Sequence, residues 1–208
     1  HGQVGVALFH GKNKLIYAAY DGVFELDITT CEDRFLFHVN TDKSLRYNDG
    51  EYDPVGRLLL GTTGYQRFAK GENCLYSTQI DGTECRKIVD GTSISNGMAF
   101  SCDSRYLYFI DTPTKKVGRY HYDVQTGNCQ FDKYVVEITG NGVPDGMCID
   151  EDGNIKLVTQ GNMTTIAWDT DTTALRSKLC LSITTIPVIC AISSTVKELS
   201  RSSSIPRI

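Results

Sequence analysis

Apolar residues along this chain come in short runs broken by Gly, Asp and Asn. No segment holds the helical spacing i, i+3, i+4 for four turns or more. The runs read as strands: Val4 to Phe9, Lys14 to Ala19 and Gly22 to Asp27 at the front, then Arg57 to Leu60, Cys74 to Ile80, Tyr106 to Ile110, Lys116 to Asp123, Ile155 to Val158 and Thr164 to Asp169. The clearest alternation lies in 116–123. There Val117, Arg119, His121 and Asp123 fall on one face, and Gly118, Tyr120 and Tyr122 on the other. His121 is expected as one more strand-surface residue. The predicted fold class is all-β.

The runs are organised as a repeat. Asn48-Asp49-Gly50, Ser95-Asn96-Gly97 and Pro144-Asp145-Gly146 each open an apolar strand; an Asp- or Gly-rich turn follows, then a second and a third strand. Aligning Gly50, Gly97 and Gly146 gives spacings of 47 and 49 residues. An incomplete earlier copy spans 4–27, and its position corresponding to Asp49, Asn96 and Asp145 falls near Val4, which offers a metal nothing. A period in the forties with several short strands per copy is the mark of four-stranded propeller blades. A generic β-sandwich would not repeat one tripeptide at constant spacing. The chain of 208 residues therefore holds about four blades, either closed on themselves or part of a larger ring.

Equivalent positions in a propeller repeat sit at equivalent places around the axis. Asp49, Asn96 and Asp145 are thus expected to converge at one end of the central channel. Two carboxylates and an amide oxygen there are hard ligands suited to Ca²⁺, Mg²⁺ or Mn²⁺. A lone Asx-Gly is ordinarily just a turn; it is the recurrence that points to a site.

Composition narrows the alternatives. Hydrophobic residues make up 40% and charged residues 22%, with a net charge of −4 and no Lys/Arg cluster, which argues against nucleic acid as a partner. Leu179 to Ile192 is too short to span a bilayer and contains Pro187, so no membrane partner is expected. No GxSxG elbow, HExxH pair or glycine-rich phosphate loop occurs. Trp168 and the scattered tyrosines read as packing between blades. Eight cysteines show neither CxxC pairs nor zinc spacing, which suits free thiols in a reducing, cytoplasmic setting; an extracellular protein with a few bridges is the alternative.

The motifs carry a family resemblance. Arg46-Tyr47-Asn48-Asp49-Gly50-Glu51-Tyr52-Asp53-Pro54-Val55-Gly56-Arg57 with Gly61-Thr62, then Ile94 to Ser101 with Tyr106 to Thr112, then Pro144 to Asn154, resemble in order and spacing three signatures of the SMP-30/gluconolactonase family, the regucalcin-like sugar lactonases. The resemblance covers about 3–180 of a single domain spanning 1–208. Residues from about 181 on, with Ser-rich 201–208, read as a divergent tail in which Lys197-Glu198-Leu199 is comparable with a later family motif.

The resemblance implies a six-bladed propeller with one divalent cation in its channel: Ca²⁺ or Zn²⁺, with Mn²⁺ or Mg²⁺ as further choices. It maps metal ligation onto Asn96 and Asp145, with Asp49 supporting the metal through water, and sugar contacts onto Arg46 and Asn48. The implied activity is hydrolysis of a small-molecule sugar lactone, with Asp145 as the base. The alternatives are a calcium-binding protein without turnover, or an inactive truncated propeller. The family's N-terminal Glu ligand has no counterpart, so one ligand and roughly one blade are expected to be missing. An acidic position of the family's substrate loop falls near Gln66, and a family Trp is replaced by Lys156.

Overall fold

The computed structural model describes residues 1–139, 141–150, 152–159 and 162–166. Its strands form four sheets, each an antiparallel meander in chain order. The first blade holds β1 (Val4–Phe9), β2 (Lys14–Ala19), β3 (Gly22–Asp27) and β4 (Glu32–Phe37). The second holds β5 (Leu45–Tyr52), β6 (Leu58–Gly64), β7 (Asn73–Thr78) and β8 (Arg86–Thr92). The third holds β9 (Ser95–Phe100), β10 (Tyr106–Asp111), β11 (Lys116–Asp123) and β12 (Asn128–Glu137), with a 3-10 turn at Thr112–Thr114. The fourth shows β13 (Pro144–Ile149), β14 (Ile155–Thr159) and β15 (Asn162–Ile166). These are the blades of a β-propeller. The end of the strand expected at Thr164 to Asp169, together with Trp168, Cys180, Cys190 and the tail, lies outside the described residues.

The strands β4, β8 and β12, each last in its blade, have no counterpart in the sequence reading. Their alternation is masked because both faces are partly exposed: in β4 the first four residues, Glu32 to Phe35, are all exposed. Middle strands behave oppositely. Leu58 to Thr63 of β6 is buried throughout, because a blade packs a neighbour on each face.

The core lies between blades. Ile16, Ala18 and Val23 of the first blade pack on Tyr47, Leu58 and Leu60 of the second. Leu59 and Leu75 pack on Met98, Leu107, Phe109 and Tyr122 of the third. Tyr108, Ile110 and Val117 pack on Met147, Ile155 and Leu157 of the fourth. A buried ion pair ties the second blade to the third: the Asp53 side chain is fully buried, it accepts Arg57 Nε at 2.6 Å and the Tyr122 hydroxyl at 2.7 Å, and Arg57 Nη2 donates to the Val124 carbonyl at 2.6 Å.

One local feature recurs in every blade. The first strand carries one more residue than its partner at a fixed place, a β-bulge. The interrupted pairings are Val4↔Ala19 then Val6↔Ala18, Tyr47↔Thr62 then Gly50↔Leu60, Asn96↔Ile110 then Met98↔Phe109, and Pro144↔Thr159 then Met147↔Leu157. Counted back from the hairpin turns, closed by His10 N–H to Lys14 O, Asp53 N–H to Arg57 O, Ser101 N–H to Tyr106 O and Asp150 N–H to Asn154 O, the bulge pairs are Gly5-Val6, Asn48-Asp49, Asn96-Gly97 and Asp145-Gly146.

This corrects the alignment of the repeat. Asn48, not Asp49, is in register with Asn96 and Asp145, while Asp49 occupies the place held by Gly97 and Gly146. The position in the first blade is Gly5 rather than Val4, and it too has no side-chain donor atom to give.

Candidate functional site

The bulge decides where the chemistry sits. An extra residue kinks the strand and re-aims its side chains. Here it does so at the same level of successive first strands, which lie against one another. A side chain on Gly5 would place its Cβ 2.4 Å from the Tyr47 carbonyl oxygen and 2.9 Å from Asn48 N, so first and second blades meet there backbone to backbone. A Cβ on Gly97 would stand 2.7 Å from the Asp145 carbonyl oxygen and 3.0 Å from Met147 N, so third and fourth blades meet the same way. Between second and third blades the link is a side chain: Asn48 Nδ2 donates to the Ser95 carbonyl at 3.0 Å.

Each expected residue falls on this row of first strands. Asn48 and Asp49 lie in the bulge of β5, Asn96 in that of β9 and Asp145 in that of β13. Asn96 is 6% exposed and its Oδ1 accepts the Gly97 N–H at 3.2 Å. Asp49 Oδ1 accepts the Gly50 N–H at 2.8 Å. Burial, helped by the charges of Asp145 and Glu51, pushes the Asp49 carboxyl up to about 7 against that hydrogen bond. The charge of Asp145, on a strand that begins about a hundred residues away, thus reaches Asp49.

Arg46 lies two residues before the bulge and is half-buried, and burial pulls its guanidinium pKa down. Its Nη1 donates to the Tyr47 carbonyl at 2.8 Å, and no carboxylate among the described residues pairs with it. A desolvated guanidinium without a counter-ion retains unused donors in a planar fork. Gln66, in the loop after β6, has a left-handed backbone with φ of 59°.

The donor set has the composition of a hard-cation site: two carboxylates and amide oxygens, with no thiol or imidazole. Two half-buried carboxylates, one of them raised by the charge of the other, are the arrangement a divalent ion relieves. Among the described residues no group of three or more His, Cys, Asp or Glu gathers to hold a metal. His121, which the sequence assigns to the strand surface, is exposed, with Nε2 4.0 Å from Asp132. Sequence reasoning missed Ser95 and Thr112, whose roles depend on the neighbouring blade. Thr112 closes one of the three motifs, but no pattern of letters says what its hydroxyl touches.

Comparison with known proteins gives this geometry a family. The family model described as SMP-30/Gluconolactonase/LRE-like region matches residues 1–199. The chain belongs to that family.

Among curated relatives, human regucalcin is 35% identical over 121 residues, which is 56% of this chain and 40% of that one. A Bacillus subtilis protein provisionally named sugar lactone lactonase YvrE is 37% identical over 142 residues, 62% of this chain and 48% of that one. The match therefore spans half or less of these family members. Among solved structures, a calcium-binding protein, regucalcin, from Agrobacterium tumefaciens superposes with a TM-score of 0.70 at 27% identity, covering 82% of this chain and 59% of that one. A luciferin-regenerating enzyme superposes with a TM-score of 0.72 at 24% identity, which speaks for the fold alone. No helix among the described residues is long and apolar enough to cross a membrane.

Proposed function

We propose that the end of the channel formed by these bulges is the site of a sugar-lactone hydrolase that works with one divalent cation. The observation that carries the reading is the common register of Asn48, Asn96 and Asp145, which brings an amide, an amide and a carboxylate to one level of three adjoining blades. Membership of a lactonase-containing family supports it.

In this reading Asn96 and Asp145 hold the cation and Asp49 supports it through water. A divalent cation there, Ca²⁺ or Zn²⁺ with Mn²⁺ or Mg²⁺ as further choices, supplies polarisation of the lactone carbonyl and a lowered pKa for water. The other steps belong to the chain. Arg46, whose Nη1 is held by the Tyr47 carbonyl, presents its remaining guanidinium donors to the sugar hydroxyls, and Asn48, anchored through Nδ2 on Ser95, turns its amide oxygen to them. Asp145 takes a proton from the water that adds to the carbonyl carbon, and the bond from that carbon to the ring oxygen breaks. The proton passes to the departing alkoxide, giving the open-chain aldonic acid.

The test is hydrolysis of glucono-1,5-lactone by chelator-treated chain resupplied with Ca²⁺, Zn²⁺ or Mn²⁺, beside Asp145→Ala. Saturable turnover that needs both the cation and Asp145 is expected. Cation binding without turnover above the spontaneous rate would favour the second reading, a calcium-binding protein, which the likeness to the calcium-binding regucalcin of Agrobacterium tumefaciens recommends. Neither binding nor turnover would leave an inactive propeller.

A further inference from the structure

We infer that Thr112 is a positioning residue of this site, setting the amide of Asn96 and the strand of Asp145 with a single hydroxyl. The inference rests on the proposal that Asn96 and Asp145 hold a cation.

Thr112 follows β10 and is 9% exposed. Its backbone is fixed by an N–H donated to Ile94 O at 3.1 Å. Its Oγ1 lies 3.0 Å from Asn96 Nδ2 and 2.9 Å from the Pro144 carbonyl oxygen. A hydroxyl has one proton, and a carbonyl can only accept. The Thr112 proton is therefore committed to Pro144, leaving only its lone pairs for Asn96. The Asn96 atom facing it must then be the NH₂, and the amide oxygen must turn the other way. Of the two lone pairs on that oxygen, one meets the Gly97 N–H at 3.2 Å, and no donor among the described residues takes the other, which is left for a cation. The orientation of an amide rests on its hydrogen-bond partners, and here they allow one choice.

The same hydroxyl holds the backbone of Pro144, the residue immediately before Asp145. It couples one ligand through its side chain and the other through its strand. The second blade does without such a relay. Asn48 reaches the Ser95 carbonyl directly, and Thr63, the counterpart of Thr112, gives its hydroxyl instead to the Ser93 carbonyl at 3.3 Å. The spacing between third and fourth blades is bridged by an added hydroxyl, so the ligand amide there depends on a residue sixteen positions along the chain.

The experiment titrates Ca²⁺ into chelator-treated full chain by calorimetry, comparing wild type, Thr112→Val, Thr112→Ser and Val117→Ala, with melting followed for each. Valine keeps the shape and loses the hydroxyl; serine keeps the hydroxyl. Val117, fully buried between the third and fourth blades, reports general loosening. The expected result is binding weakened about tenfold or more in Thr112→Val, as for other residues that orient a ligand. Thr112→Ser should return to near wild type, and Val117→Ala should melt earlier with its affinity kept. Wild-type affinity in Thr112→Val, or Thr112→Ser as weak as Thr112→Val, overturns the inference. So does a loss in Val117→Ala equal to that in Thr112→Val. A wild type that binds no Ca²⁺ overturns the cation reading itself, and the inference with it.

Discussion

The side-chain amide of Asn48 donates to the backbone carbonyl of Ser95 at 3.0 Å, across 47 residues of chain and from one blade to the next. Because its nitrogen faces this carbonyl, its oxygen points away from it. Asn48→Asp should be more damaging than its similarity of shape suggests, since a carboxylate set against a carbonyl has no proton to give. A buried acceptor left facing an acceptor costs about 1–3 kcal/mol. Urea unfolding should show that loss in Asn48→Asp. Equal stability of Asn48→Asp and wild type would contradict the link.

The Asp53–Arg57 pair makes a sharper stability prediction. Removing the cation leaves a carboxylate with no exposed side-chain surface, a change that costs about 3–5 kcal/mol. Arg57→Met is expected to lower the urea midpoint strongly, and Arg57→Met with Asp53→Asn to recover much of it. An unchanged midpoint in Arg57→Met would show that the blades do not depend on the clamp.

Gly5 sits where the backbone of the next blade leaves no space for a Cβ, 2.4 Å from the Tyr47 carbonyl oxygen. Gly5→Ala must push two strands apart, at about 1–3 kcal/mol. Thermal unfolding should show the loss. Gly5→Ala melting with wild type would mean that the first strands are not in this register.

Most of the architecture was legible because blade repetition writes itself into the chain as runs of Leu, Ile and Tyr separated by Asp and Gly. Strands β1, β2, β3 and β11 lie where their patterns place them: β2 is apolar along its length because both its faces are packed, and β11 shows the alternation read over 116–123. The outer strands were not legible, as Glu32 to Phe35 show when both faces meet solvent. The register of the site was off by one in the second blade for a definite reason. Glycine fills the second bulge position in the third and fourth blades, but Asp49 fills it in the second and Gly50 follows. Matching glycine to glycine therefore slid Asp49 onto the place of Asn48. Only the pairing of Tyr47 with Thr62 and Gly50 with Leu60 reveals it.

Asp49 gives the account a pH dependence. Its carboxyl titrates near 7 in the folded chain, raised by burial and by Asp145, against about 4 for an ordinary aspartate. Between those values the folded chain keeps a proton that the unfolded chain has lost. The associated stability is complete below about pH 4 and is lost as pH rises through 7. Cation-free protein should therefore weaken from pH 5 to pH 8, and Asp49→Asn should flatten the slope. Denaturant midpoints across that range measure it, and the same slope in Asp49→Asn would assign it elsewhere.

The division of labour at the channel end is tested most directly by steady-state lactone hydrolysis in saturating cation, comparing wild type, Arg46→Ala and Asp145→Asn. If Arg46 holds the sugar and Asp145 acts on the water, Arg46→Ala raises KM about tenfold with kcat largely kept. Asp145→Asn lowers kcat by about a hundredfold or more, the range expected for loss of a general base. Turnover by Asp145→Asn at the wild-type rate would contradict the account at its centre.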